Sequence, residues 1–277
     1  NTLPDADAIV NPNQPGCDFP SKALAGVGVA FYLLLALRAT LREQGYFAAQ
    51  GLTEPNVAEL LDLVALGTVA DVVPLDANNR ILVHQGLMRI RAGKCRPGIQ
   101  ALIDVANRDA TKLTASDFGF ALGPRLNAAG RLDDMSLGIS CLLAPNLGLA
   151  RQYAAELDNL NAERRSIEQS MQQEAQALLS QISFDGSNLP ETLCLYRHDW
   201  HQGVIGILAG RIKEQFHRPT IAFAEGDNGE LKGSARSITG LHIRDVLEEM
   251  ATQYPGLIKK FGGHAMAAGL TISADKL

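Results

Sequence analysis

The segment Lys232-Gly233-Ser234-Ala235-Arg236-Ser237 carries a base, a hydroxyl and a guanidinium at every second position. On a strand, period two puts Lys232, Ser234 and Arg236 on one face, a row able to read phosphate. The same row would also make an ordinary exposed sheet face. A second segment, residues 261–269, packs three glycines, three alanines, Met266 and His264 behind Phe261, directly after Lys259 and Lys260. Gly262 and Gly263 let a ligand or another backbone come close. The segment reads either as a loop holding an anionic group beside an imidazole or as a tight connection with a structural histidine. A third, residues 198–206, sets His201, Gly203 and Gly206 at the start of a helix, where free N–H groups and the helix dipole favour an anion. His198 and His201 make only a weak zinc pair, since no further ligand pair stands nearby. Trp200 could stack on a base, although a lone tryptophan is more often core.

Two further segments lie in the first half. In residues 123–134, Arg125 and Arg131 flank small residues and Asn127. The planar guanidinium fork suits phosphate; an equal reading pairs an arginine with Asp133 or Asp134 across a turn. In residues 66–75, Asp71 stands alone at the end of an apolar helix. A buried carboxylate needs a positive partner, and a hard divalent cation is one. The plainer reading has Asp71 capping the next turn, beside Asp76, Asn78 and Asn79. Gly26-Val27-Gly28 lacks the third glycine and the strand-then-helix context of a dinucleotide site.

These residues must be held by regular elements. A short strand is expected over residues 8–12 and a helix over 21–44, capped by Ser21 and stopped by Gly45. Further helices are expected over 56–70 with Asn56 as N-cap, then 80–93, 98–107 and 115–122. Apolar positions from Tyr153 to Ile182 recur at three or four, so residues 147–182 read as one helix roughly 50 Å long. The pattern then changes to strands over 192–196, 220–224, 231–238 and 270–273, with helices over 204–216 and 243–254. The fold class is therefore α/β: a mainly helical first part, a long connecting helix and a small α/β domain. The expected boundaries are 1–146, 147–186 and 187–277.

At 277 residues the chain is long enough for two domains. Its net charge of −5 excludes bulk attraction to nucleic acid but not a local basic groove. Cys17, Cys95, Cys141 and Cys194 form no CxxC pair, which suits a reducing cytoplasm. The apolar run at residues 23–37 is shorter than the roughly 20 residues that cross a bilayer, so a buried core helix is expected and no membrane partner. The opening Asn1-Thr2-Leu3-Pro4 reads like mid-protein sequence, as in a fragment.

Five blocks in order resemble the single-strand-specific exonucleases of the DHH phosphoesterase family. They are residues 67–75, 123–134, 201–206, 233–237 and 262–269. The resemblance implies a helical remnant of a DHH domain, a linking helix and a DHH-associated domain that grips nucleic acid. It implies that Asp71 is a metal ligand, and that Arg125, Asn127, Arg131, His201, Ser234, Arg236, Gly262, Gly263 and His264 lie at the substrate. No Asp-His-His triplet occurs in the sequence. The family's other metal ligands are expected upstream and its OB-fold domain downstream.

The implied activity is metal-dependent hydrolysis of single-stranded DNA from a 5′-phosphate end, in DNA repair and recombination. Two Mn2+ or Mg2+ ions, roughly 3.5–4 Å apart, would generate hydroxide and stabilise the leaving oxygen. The fragment itself would be inactive. A helicase and a single-strand-binding protein are the partners the resemblance implies. The rival readings are a DHH-type oligonucleotide or nucleotide phosphatase and a non-catalytic replisome-type DNA-binding relative.

Overall fold

The computed structural model describes residues 4–180 and 190–277. The chain divides into two compact units, Asn1–Asn161 and Ala162–Leu277. In the first unit the described elements are helical: α1 (Gly26–Glu43), α2 (Tyr46–Ala49), α3 (Leu61–Ala70), α4 (Ala77–Arg91), α5 (Pro97–Val105), α6 (Ala115–Asp117), α7 (Gly123–Leu132), α8 (Ser136–Leu143) and the start of α9 (Leu147–Ser180). Its main core is built by Ile99, Leu102, Ile103, Leu113, Phe118, Leu122 and Leu157, all essentially inaccessible. Each such side chain contributes about 1.5–3 kcal/mol by leaving water.

Several helix starts follow from local chemistry. Asn56 accepts the Ala58 N–H at 3.3 Å and opens a 3-10 turn, Val57–Leu60, that leads into α3. Asp76 caps α4 by accepting the Asn79 N–H at 2.9 Å. Pro97 sits in the first turn of α5, where its missing N–H costs nothing. Gly45 stops α1 with φ +69°.

Other expectations fail. Residues 8–12 form no strand, and no described strand runs beside them to complete a ladder. Ser21 caps no helix; its hydroxyl donates to Asp76 Oδ2 at 2.6 Å, and α1 begins at Gly26. Nor is α1 a buried core helix. Only Gly28 and Phe31 are buried, while Leu33, Leu34 and Leu37 stay exposed, because α1 packs along one side only. Among the described residues no helix is long and apolar enough to cross a membrane. Residues 123–132, to which the sequence assigns no element, form α7, since Pro124 starts a helix and Ala128 and Ala129 bury its inner side. Ser136–Leu143 is likewise helical. The long helix is described to Ser180; Ile182 lies outside the described residues.

The second unit holds β1 (Leu193–Tyr196), α10 (Ile205–Phe216), β2 (Thr220–Glu225), β3 (Glu230–Arg236), α11 (Ile243–Gln253), β4 (Ile258–Gly263) and β5 (Ala267–Ser273). The sheet order is β1-β2-β3-β5-β4; β1 and β2 are parallel and the other pairs antiparallel. Leu231 and Ala235 point to one face, where they pack with Ile243 and Leu247 of α11. On the opposite face α10 approaches the side chains of Ser234 and Arg236 at Gly206. The expected loop at residues 262–269 is instead mostly two paired strands turning at His264. Glycine weakens the sequence signal for β4, but pairing with β5 supplies its ladder.

Candidate nucleic-acid interface

The alternation in β3 does place Lys232, Ser234 and Arg236 together, half-buried, with Leu231, Gly233 and Ala235 buried on the other side. Register extends this row across the sheet. Ser234 stands opposite Ala222 and Gly269, and Gly269 stands opposite Gly262. Lys232 stands opposite Thr271, which faces Lys260. Paired residues share a face, so one face carries a small-residue row, Ala222-Ser234-Gly269-Gly262, beside a second row, Ala224-Lys232-Thr271-Lys260.

Helix α10 packs on β2 and β3 and leaves the β5–β4 end of this face open. Lys260, Gly262 and Gly269 are exposed there. The result is a groove of about 410 Å³ walled by Gln202 and Ile205, with Lys232, Ser234, Lys260, Gly269 and Thr271 along it. Among the described residues nothing comes within 4 Å of a Cβ added at Gly262, and only the Gly233 carbonyl does so at Gly269. A sugar–phosphate backbone could lie directly on such a floor.

The walls are pre-positioned. Arg236 donates from Nη1 to Ser234 Oγ at 3.0 Å and to the Ala235 carbonyl at 2.9 Å. Gly206 makes room for this pair, since a Cβ there would lie 2.8 Å from Arg236 Nη2 and 2.9 Å from Ser234 Oγ. Among the described residues no side chain caps the first turn of α10; the Ile205 and Ile207 N–H groups go to the His201 and Val204 carbonyls, at 3.2 and 2.9 Å, and the helix dipole favours an anion at this end. Lys232 reaches Glu230 at 2.9 Å and Thr271 Oγ1 at 3.3 Å. Lys259 also meets Glu230, at 3.3 Å. Hydrogen bonds from these two lysines hold the Glu230 carboxyl below its usual range.

The remaining predicted residues of this unit lie nearby in the fold or at its edge. His201 is exposed, and its Nδ1 accepts the Gly203 N–H at 3.0 Å, leaving Nε2 as the atom available to a ligand. Gly263 requires glycine: at φ +152° a Cβ would fall 2.4 Å from the Ala267 carbonyl oxygen. His264 is exposed at the turn, and the pairing of Ala267 with Arg236 puts that turn at the Arg236 end of β3. Trp200 is core, 4% exposed, donating to Glu174 at 2.8 Å.

The first unit treats its predicted residues differently. Arg125 donates to Asp158 at 2.8 Å and to the Ala121 carbonyl at 2.7 Å, so its partner is neither Asp133 nor Asp134. Asn127 and Arg131 lie one turn apart on α7, Asn127 and Arg131 both exposed. Gly123 lies against the Ala70 methyl, which brings the start of α7 to the end of α3. Asp71 closes α3 and is exposed, not buried; the cap of the next helix is Asp76. The buried carboxylate is Asp62, which accepts the N–H groups of Leu63 and Arg96, each at 2.8 Å. Val72, after Asp71, holds φ +58°, a conformation rare for a β-branched residue.

Among the described residues no three His, Cys, Asp or Glu side chains gather as a metal site. Asp71 offers one oxygen donor of the kind a hard divalent ion takes, and one alone does not make a site. The structure adds Gln202, Lys260 and Thr271 to the groove. Lys260 was visible beside the glycines, whereas Thr271 acquires meaning only from the β5 register.

Residues 189–277 match the DHHA1 domain. The whole chain is 66% identical over 276 residues to the single-stranded-DNA-specific exonuclease RecJ of Escherichia coli K12, covering 48% of that protein. It is 39% identical to the RecJ of Bacillus subtilis 168, with 99% of this chain and 32% of that protein covered. Among solved structures, RecJ of Thermus thermophilus in complex with Mn2+ gives a TM-score of 0.74 at 32% identity, over 93% of this chain and 35% of that one. An exonuclease RecJ bound to manganese gives 0.71 at 33% identity, over 93% and 59%. The chain spans about half the length of the first curated relatives it matches. Similarity running through the whole chain, with a DHHA1 domain at its end, makes this chain part of a protein of the RecJ family.

Proposed function

We propose that the chain is the strand-gripping portion of a metal-dependent exonuclease that degrades single-stranded DNA from the 5′ end, in the cytoplasm, in repair and recombination. The observation that carries this reading is the open face of β5 and β4. It joins a glycine floor to Lys232, Lys260, Ser234 and Arg236, a surface suited to tracking phosphates. We assign the DNA-associated role to residues 187–277, the connecting role to residues 147–186, and the remnant of the catalytic domain to residues 1–146.

Arg236 and Ser234 would bind a phosphate, with the first turn of α10 and His201 adding donors. Gly262 and Gly269 would admit the backbone, and Gly263 and His264 would close the Arg236 end. Asn127 and Arg131 would add contacts from α7. Arg125, engaged with Asp158, would act by holding its own unit together. Asp71 would supply one ligand to a divalent ion, Mn2+ or Mg2+, whose chemistry when bound is to activate water and stabilise the leaving oxygen. A helicase and a single-strand-binding protein would supply and manage the strand.

The test uses a 5′-labelled single strand with manganese. The full-length protein should shorten long strands, while residues 1–277 should bind them without turnover. A preference for dinucleotides would favour an oligonucleotide phosphatase, and binding without any turnover in the full-length protein would favour a non-catalytic relative. Robust hydrolysis by residues 1–277 alone would overturn the assignment of labour.

A further inference from the structure

The sheet face that carries the groove also carries a carboxylate. Period two continues the row Arg236, Ser234, Lys232 to Glu230, and all four side chains are half-buried. Glu230 therefore stands just beyond the Lys232 end of the groove. Lys232 Nζ donates to its Oε2 at 2.9 Å, and Lys259 Nζ to its Oε1 at 3.3 Å. The register shift between Ile258 and Lys260 leaves Lys259 without a partner of its own on β5, and its side chain reaches across to Glu230.

Lys232 does not need this carboxylate to hold its place. Its ammonium also donates to Thr271 Oγ1 at 3.3 Å, a neutral partner. Its stem is confined beside Gly226, where an added Cβ would lie 3.2 Å from both Cγ and Cε. What Glu230 adds is charge. A carboxylate and a phosphate take the same charge-assisted hydrogen bonds from an ammonium, so the two compete for one donor. A carboxylate at the end of the row also repels a phosphate arriving there.

We propose that Glu230 is an internal stand-in for a phosphate, holding Lys232 and Lys259 while the groove is empty and giving them up to a strand that displaces it. This role rests on the groove of β3, β5 and β4 being the strand's path. Glu230 then sets how firmly this end of the path grips. Exposed ion pairs are weak, so the exchange of carboxylate for phosphate lies near balance. A phosphate can leave Lys232 without stranding the ammonium, because Glu230 takes it back. Grip at this end is moderated, which suits a strand that must advance after each cut.

The test is the fluorescence anisotropy of labelled oligo(dT) on the full-length protein, in EDTA to prevent turnover, across a salt series. Glu230→Gln should bind about three- to five-fold tighter and steepen the salt slope by about 0.7 for each lysine released. Glu248→Gln removes the same charge from α11, which packs on the opposite face of the sheet, and should change affinity by less than about two-fold. In a Lys232→Gln, Lys259→Gln background, Glu230→Gln should have no effect. Circular dichroism checks the fold of each variant, and Glu230→Ala serves if Glu230→Gln does not fold. A mere brace has the opposite sign: Glu230→Gln would weaken binding. That result, or unchanged affinity in Glu230→Gln while Lys260→Gln still weakens binding, would overturn this role and leave the groove standing. Unchanged affinity in both Lys232→Gln and Lys260→Gln would remove the groove itself, and this role with it.

Discussion

Arg125 and Arg236 both stand in small-residue segments, and the two units use them in opposite ways. Arg125 is 12% exposed and joins α9 through Asp158 and the chain just before α7 through the Ala121 carbonyl. Arg236 is braced by Ser234 on a sheet face whose far half is open. The first arrangement commits a guanidinium to its own fold; the second holds one in place for a visitor. Residue type and small neighbours therefore do not distinguish structural from binding arginines. What distinguishes them is where the braced fork stands, against α9 in one unit and beside an open groove in the other.

The largest effect should come from the first unit's exposed carboxylate. In the full-length protein, Asp71→Ala should cut exonuclease turnover by about a thousand-fold or more, with single-strand affinity kept. Parallel loss of affinity would break the contrast between the units. Next comes Gly206→Val, whose side chain collides with Arg236 and Ser234. Fluorescence anisotropy should show about ten-fold weaker binding to labelled oligo(dT), with melting little changed.

Arg125→Ala should do the reverse. Loss of charge-assisted hydrogen bonds should cost about 2 kcal/mol in denaturant unfolding and leave oligo(dT) affinity unaltered. Lys260→Gln should weaken binding only a few-fold and reduce the salt slope by about one, as expected for one phosphate contact. An unchanged slope would remove Lys260 from the groove.

The smallest effect is a pH dependence of stability. A hydrogen bond from Arg197 holds the Asp199 carboxyl at about 2, below its ordinary 3.8. A depressed carboxyl contributes stability above its unfolded value and loses it as pH falls through the folded one. Thermal melts should therefore lose this contribution between about pH 4 and pH 2, and Arg197→Gln should flatten that window. The pair is exposed, so the change should be slight.

Much of this was legible because periodicity survives in single segments. The alternation from Leu231 to Arg236 predicts a strand with the right face outward, and the apolar spacing from Tyr153 predicts α9. The failures share a cause: their evidence lies in distant partners. Ile258–Gly263 reads as loop because glycine masks a strand that β5 completes. Glycines and a proline hide α7, which Ala128 and Ala129 anchor by burial. Asp71 reads as buried from its apolar neighbours, yet α3 ends at the surface there and Asp62 holds the interior position. In the candidate site, Ser234 and Arg236 could be seen directly, whereas Thr271 required the register, and the closeness of Gly206 to Arg236 required the helix packing.

Photo-crosslinking tests the central claim most directly. A single strand carrying bromodeoxyuridine would be bound to residues 1–277, irradiated and mapped by mass spectrometry. The groove account predicts adducts on the peptides containing Gln202, Phe261 and Thr271, lost in Gly206→Val. Adducts confined to residues 4–161, unaffected by that substitution, would contradict it.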